Sequence, residues 1–159
     1  MPRYRYIEAT VNEMYEPGSK YIPASYTLEP PQNLIAITKV EYTDPSGNYV
    51  IPETIDGKTV VAIMPGAFSD SKISSTVRSI TVPAKVRMIW GGAFENCVNL
   101  TDLYLKPLVV EIFEDAFPPV SARTGKLTIH CRRDCRNYDY YYYRNIADRF
   151  GAAYAEWSA

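Results

Sequence analysis

The chain has 159 residues, and its 17 Lys and Arg against 18 Asp and Glu give a formal net charge of −1 at pH 7. This length is enough for one domain with a buried core, and the near-neutral charge gives no general attraction to nucleic acid or membrane surfaces. No apolar run is long enough to span a bilayer. Three cysteines cannot form a disulfide scaffold, and the odd thiol that they leave is more typical of a reducing compartment than of an oxidising one.

The first part of the chain has the weakest pattern. Residues 1–25 show no clear hydrophobic period and lack the apolar core of a secretion signal, so they are assigned as a lead segment. Residues 26–28 and 34–38 are strand-like runs on either side of a turn at 29–33. Because the open end of a stack of repeats exposes an edge strand, we expect residues 26–48 to form an N-terminal β cap.

A short phrase, Val-x-x-Ile-x-x-x-Ala-Phe, occurs three times in the middle of the chain. Its copies end at Phe68, Phe94 and Phe117, so the spacing is 26 and then 23 residues. Repeats of this length are typical of solenoids, in which one supersecondary unit stacks on the next. The phrase therefore predicts that the three Phe side chains lie in one column.

An alternating strand pattern also repeats, at residues 80–83, 103–107 and 127–129, with a weaker first copy at 49–52. Each unit has a strand, a turn, a short extended segment and a step of small residues into Ala-Phe. One unit is too small to bury its own Val, Ile and Phe side chains, so neighbouring units must cover them. Residues 49–131 are accordingly predicted to form a solenoid of about three to four repeats.

The last part of the chain, residues 132–159, is predicted to close the other end of the stack. An amphipathic stretch favours a C-terminal capping helix, Gly151 stands where a helix stop is expected, and residues 152–157 are a candidate closing strand. The whole chain is then one domain. One face of the predicted helix carries Tyr143, Ile146, Ala147 and Phe150.

Two runs of the sequence match a known repeat family in register. Residues 51–68 contain Ile-Pro, Ile-Asp-Gly-Lys, Ile and Gly-Ala-Phe, and residues 80–101 contain Ile-Thr-Val-Pro, Val, Ile and Gly-Ala-Phe-Glu-Asn-Cys-Val-Asn-Leu-Thr. With these motifs, roughly residues 40–130 resemble the BspA-like leucine-rich repeat family. The resemblance implies a leucine-rich-repeat-like solenoid that serves in bacterial adhesion or other protein binding and has no catalytic residues. It also implies a cell-surface or secreted location, while the lack of a signal peptide in this chain leaves the cytoplasm open.

Alternation along the predicted strands separates a buried face from a solvent face. The solvent face is the candidate binding surface, and the expected function is non-catalytic recognition of a protein or glycan partner, with no cofactor and no metal. Tyr104 is the natural anchor because it is large and amphipathic among smaller neighbours. The residues assigned to this surface are Ser79, Thr81, Asp102, Tyr104, Lys106, Lys126, Thr128 and His130.

Residue types that often serve in catalysis or metal binding do occur, but not in the patterns that this chemistry needs. His130, Cys131 and Cys135 lie close together, yet a zinc site needs a fourth ligand and the chain has no second His. Cys97 has no base nearby in the sequence, and the repeat register predicts that it is buried. The sequence therefore predicts no enzyme, and it leaves open a local Cys131–Cys135 bridge.

The stretch at residues 132–144 departs from the neutral balance of the chain. It combines four arginines with five tyrosines, residue types that are enriched at protein interfaces. A capping helix with buried Tyr faces and solvated arginines is the simpler interpretation. The alternative function is a structural or self-assembly module that forms oligomers through this Tyr/Arg-rich C-terminal cap, while nucleic-acid binding is not favoured.

Overall fold

The computed structural model describes residues 3–20, 22–24, 32–107, 110–132 and 146–157. Its strands are β1 Tyr4–Glu8, β2 Leu34–Val40, β3 Asn48–Val50, β4 Thr54–Ile55, β5 Lys58–Ile63, β6 Ser79–Val82, β7 Met88–Ile89, β8 Asp102–Leu105, β9 Glu111–Ile112, β10 Thr128–Arg132 and β11 Ala153–Trp157. The short helices are α1 Val11–Met14, α2 Ser71–Ser74 and a 3-10 turn at Val120–Ala122, and residues 146–149 are also helical.

Two sheets enclose the core. The front sheet has the strand order β11-β10-β8-β6-β3, and all of its pairs are parallel. The back sheet has the order β1-β2-β5-β7-β9, in which β2, β5, β7 and β9 are parallel. β4 pairs antiparallel with β5 at the back sheet. Apart from this hairpin, the chain alternates between the sheets from β2 to β10, and the fold is a β-rich solenoid of about four turns.

A column of aromatic rings passes through the core from coil to coil. The ring centroids of Phe68 and Phe94 are 5.5 Å apart, and those of Phe94 and Phe117 are also 5.5 Å apart. Tyr49 continues the column on one side, 5.8 Å from Phe68, and Phe150 continues it on the other, 4.9 Å from Phe117. All five residues are buried. The prediction of a single Phe column is confirmed, and the column is longer than the phrase indicates.

The Ala-Phe step also joins the coils through backbone hydrogen bonds. The amide of Phe68 donates to the carbonyl oxygen of Ala93 at 3.3 Å, and the amide of Phe94 donates to that of Ala116 at 2.7 Å. Both alanines are fully buried, and a close-packed interior has no room for a larger side chain there. Gly92, one residue earlier, has a φ of 78°, a conformation that glycine adopts without strain. Small residues at this step therefore follow from the stacking itself.

Residues 3–20, which belong to the predicted lead segment, include a strand and a short helix that pack on the back sheet. β1 pairs antiparallel with β2, and α1 begins at a capping box in which Thr10 and Glu13 satisfy each other's backbone amides. Met14 then packs with Ala36 and Met88 on the outer face of the back sheet. The strand-like run predicted at 34–38 lies within β2, whereas the run at 26–28 lies outside the described residues.

The C-terminal part returns to the front sheet. β11 pairs in parallel with β10, and Gly151 has a φ of 61° between the helical residues 146–149 and this strand. Ile146, Ala147 and Phe150 are buried, as the predicted helical face requires, while Tyr143 lies outside the described residues. None of the described helices is long and apolar enough to cross a membrane.

Candidate functional site

The outward side chains of the front sheet stand in rows, because its strands pair in parallel and in register. We call this surface the front face. Its first row is Asn48, Ser79, Asp102, Thr128 and Ala153. Its second row is Val50, Thr81, Tyr104, His130 and Ala155. Its third row is Lys106, Arg132 and Trp157, where Lys106 directly follows β8.

All eight residues assigned to the binding surface belong to the described part of the chain. Six of them occupy the first two rows of the front face. Lys106 is in the third row, and the exposed Lys126 lies two residues before β10 begins. The structure thus brings the six strand residues together with Lys106 on one surface and leaves Lys126 at its margin.

Asp102 and His130 form a fixed polar pair between neighbouring strands. His130 Nε2 lies 2.7 Å from Asp102 Oδ1, and the second carboxylate oxygen accepts a hydrogen bond of 2.8 Å from the Thr101 hydroxyl. Because a carboxylate only accepts hydrogen bonds, Nε2 is the imidazole nitrogen that carries the hydrogen. The side chains are 17% exposed for His130 and 37% exposed for Asp102. Both groups are therefore held in one orientation at the surface.

Three rings form a cluster beside this pair. The Tyr104 ring stacks on the His130 ring at a centroid distance of 4.2 Å and an angle of 11°. The Trp157 ring meets Tyr104 edge to face at 5.1 Å, and its Nε1 donates to the Leu105 carbonyl oxygen at 3.3 Å. On the opposite side of Tyr104 in the same row stands Thr81, whose side chain is too short to cover a phenol ring. One face of Tyr104 is thus supported and the other has only a short neighbour.

The front face descends from this ring cluster toward β3. Ser79 donates to the side-chain oxygen of Asn48 at 2.8 Å, which orders the first row. Val50, at the end of the second row, is 59% exposed. The front face therefore has short polar and apolar side chains near β3 and aromatic rings on β8, β10 and β11.

Sequence reasoning missed Trp157 and Asn48 as members of this surface. Trp157 was within the candidate closing strand at residues 152–157, and alternation alone gave no partner for it. Its place in the third row depends on the parallel register of β11 against β10, in which Arg132 is opposite Trp157. Asn48 was assigned to the end of the cap, but it is the first residue of β3 and pairs with Ser79.

The cysteines do not extend this site. Cys97 is 1% exposed, and burial raises the pKa of its thiol to about 12, so very little thiolate forms near neutral pH. Cys131 is also buried, and Cys135 lies outside the described residues. In the described part of the chain, no group of three or more His, Cys, Asp and Glu side chains is arranged to hold a metal ion.

A separate groove lies at β9, the outermost described strand of the back sheet, with a volume of about 640 Å³. Burial, and to a lesser extent the nearby carboxylate of Glu16, raise the pKa of Glu111 above its ordinary value. Arg149 Nη2 approaches Glu114 Oε1 at 3.8 Å. The groove is lined by Glu16, Glu111, Ile112, Phe113, Glu114, Asp115 and Arg149.

Comparisons with protein-family models, with curated proteins and with solved structures gave no match. The function therefore has to be inferred from the front face itself. Of the Tyr/Arg-rich stretch at residues 132–144, only Arg132 belongs to the described residues.

Proposed function

We propose that the protein is a non-catalytic recognition module that binds a protein or glycan partner through the front face. The observation that supports this most directly is the cluster of Asp102, Tyr104 and His130 with Trp157, in which polar and aromatic groups meet on one exposed surface. The proposal includes membership of the BspA-like leucine-rich repeats, supported by the in-register phrases of the sequence and by the coil-to-coil stacking of their Phe residues. It also includes the adhesive, cell-surface role that this resemblance implies.

Rigidity supports recognition by this surface. The rings and the carboxylate are already held by hydrogen bonds and stacking before any partner arrives. The strands β6, β8 and β10 of the front sheet each have a paired strand on both sides, which makes this part of the surface rigid. Little side-chain entropy is then lost when a partner binds, which leaves more of the contact energy for affinity.

The arrangement of the reactive residue types supports a non-catalytic role. His130 directs Nε2 to Asp102, and the described hydroxyl nearest this pair in the hydrogen-bond network, that of Thr101, donates to the same carboxylate. Cys97 is buried, with its thiol held in the protonated form. A surface of this kind fits binding better than nucleophilic attack, which needs a base in contact with the nucleophile.

Affinity capture from native-cell and host-cell extracts tests the proposal. The native chain is compared with a Tyr104→Ala, Lys106→Ala variant, and an exposed lysine outside the front face provides a matched control, Lys85→Ala. We expect the double variant to lose the captured partner and the control to keep it, with circular dichroism showing the same fold for all three. Equal capture by the double variant would exclude the front face as the binding surface.

A further inference from the structure

We infer that the ligand of the front face is an acidic saccharide, a sugar chain that carries carboxylate or sulfate groups. This inference rests on the proposed function and names the ligand class for the same surface. It follows from the way in which three kinds of group are arranged on adjacent rows: cations in the third row, rings in the second and hydrogen-bonding groups in the first.

The cations come from two adjacent strands. Leu105 pairs with Cys131, so Lys106 and Arg132 are next to each other on β8 and β10. Neighbouring strands lie about 4.8 Å apart, and like charges placed opposite each other destabilise a sheet. In the described part of the chain, no carboxylate lies within ion-pair distance of Lys106. An anionic group bound here would gain a charge-assisted contact with Lys106.

The rings lie one row away from these cations. Tyr104 is supported on one face by His130, and Trp157 joins the third row to the second through its contact with Tyr104. A pyranose ring has one face made of C–H groups, and this face packs well on an aromatic surface. The ring that stacks on Tyr104 above Thr81 would have its charged substituent within reach of Lys106.

The first row supplies partners for hydroxyl groups. Ser79 and Asn48 present a hydroxyl and an amide, and Thr128 lies on the other side of Asp102 in the same row. Hydroxyl and amide side chains both donate and accept hydrogen bonds, as sugar hydroxyls do. A saccharide residue therefore finds, within three rows, a group for each part of its structure.

An acidic peptide fits the same surface less well. Extended peptides obtain much of their affinity by pairing their backbone with an unpaired strand edge. The strands that hold the cluster, β8 and β10, have strands on both sides, so no edge is open there. The grooves at β9 and at Lys39, Tyr42 and Asp70 also lie away from this face. A peptide on the front face would be left with side-chain contacts alone.

Calorimetric titration of the full chain with four defined probes tests the inference. The acidic saccharides are an oligogalacturonate hexamer, which has carboxylates, and a heparin hexasaccharide, which also has sulfates. The controls are maltohexaose, which is neutral, and hexaglutamate, which is an acidic peptide. We expect at least one acidic hexasaccharide to bind, with an affinity that falls as salt rises, and both controls to bind at least about tenfold more weakly.

Variants assign the binding to the front face. Lys106→Gln removes a surface charge without touching the core, and it should weaken binding of the acidic saccharide about tenfold. Tyr104→Ala should weaken it by a similar factor, because the stacking surface is lost. Lys85→Gln, the matched exposed lysine, should bind as the native chain does.

Several results would overturn the inference. It is wrong if neither acidic hexasaccharide binds, if maltohexaose binds equally well, or if Lys106→Gln leaves the affinity unchanged. Binding of hexaglutamate that depends on Lys106 and Tyr104, without saccharide binding, would overturn the ligand class and leave the front face as a recognition surface. If, in addition, the Tyr104→Ala, Lys106→Ala variant captures the same partner as the native chain, the proposed function fails as well.

Discussion

His130 Nε2 lies 2.7 Å from Asp102 Oδ1, on two neighbouring parallel strands, although the two residues are 28 apart in sequence. The bond connects the first row of the front face with the second, and it fixes the imidazole on which Tyr104 stacks. The backbone hydrogen bonds between the strands would not by themselves hold these side chains in one orientation. The shape of the front face thus depends on a side-chain pair as well as on strand register.

A double-mutant cycle measures this pair. Asp102→Ala, His130→Ala and the combined variant are compared with the native chain by urea unfolding at pH 7. We expect a coupling energy of about 1 kcal/mol, because both side chains are partly shielded from water. A coupling near zero would mean that the two groups are independently solvated.

The aromatic column predicts a steep cost for a central truncation. Phe94 contacts a ring on both sides, so Phe94→Ala should lower the free energy of unfolding by about 3–5 kcal/mol. Phe113→Ala is the control: this ring is only partly buried and stacks on Trp90 outside the column. Its cost should be less than half as large, by chemical denaturation, and equal costs would contradict a core built on the column.

Thiol chemistry checks the burial of Cys97. With Cys135→Ser as the background, the remaining thiols are Cys97 and Cys131, both buried. Because burial raises the pKa of Cys97 to about 12, its reactive thiolate is scarce at pH 8. A chromogenic disulfide reagent should therefore react slowly with the native protein and fully after unfolding in guanidinium. Rapid labelling of the native form would show that the coil at Cys97 or at Cys131 opens readily.

Removal of the Glu111 charge is expected to stabilise the folded protein to an extent that depends on pH. A carboxyl group whose pKa is raised in the folded state binds its proton more tightly there, so the folded form is disfavoured once the pH exceeds that pKa. Glu111→Gln should accordingly raise the melting temperature at pH 7. The gain in melting temperature should disappear as the pH falls below about 4.3, the pKa of Glu in an unfolded chain. Below that pH, Glu111 is protonated in both the folded and the unfolded protein.

The neighbouring carboxylate of Glu114 provides the control for this experiment. Its side chain is 87% exposed, so Glu114→Gln should change the melting temperature little at either pH. A lower melting temperature for Glu111→Gln at pH 7 would show that the charge of Glu111 is compensated in the folded protein.

Trp90 predicts how the lead segment is held. Its Nε1 donates to the Glu13 carbonyl oxygen at 2.8 Å, across 77 residues of sequence. Trp90→Phe keeps an aromatic ring but removes the donor, so hydrogen exchange in residues 3–20 should become faster and stability should fall by about 1 kcal/mol. Trp157→Phe removes the other described indole bond, to Leu105, and should leave exchange in residues 3–20 unchanged.

The positions of the repeat residues could be predicted from the sequence because each residue packs on the equivalent residue of the next coil. The offset of Phe68, Phe94 and Phe117 encodes the stacking directly, and alternation along β6, β8 and β10 separates Ile80 from Thr81 without further information. Every coil is too small to bury its own apolar residues, so every coil packs them against its neighbours in the same way.

The ends could not be predicted in the same way, because their partners are not copies of themselves. The pairing of β1 with β2 joins segments that share no repeat, and Trp157 owes its place to the pairing of β10 with β11, a strand that carries no copy of the repeated phrase. One signal was present but not used: Thr10 followed three residues later by Glu13 is a capping box, which marks the start of α1.

The same Ala-Phe contact joins successive coils, so the solenoid can be lengthened by inserting further coils. A duplicated coil between Phe68 and Phe94 would find the same ring and the same carbonyl above and below it, so it could be inserted without disturbing either terminus. Each insertion would widen the front sheet by one strand, about 4.8 Å. The width of the front face is then adjustable in whole-coil increments by gene duplication alone.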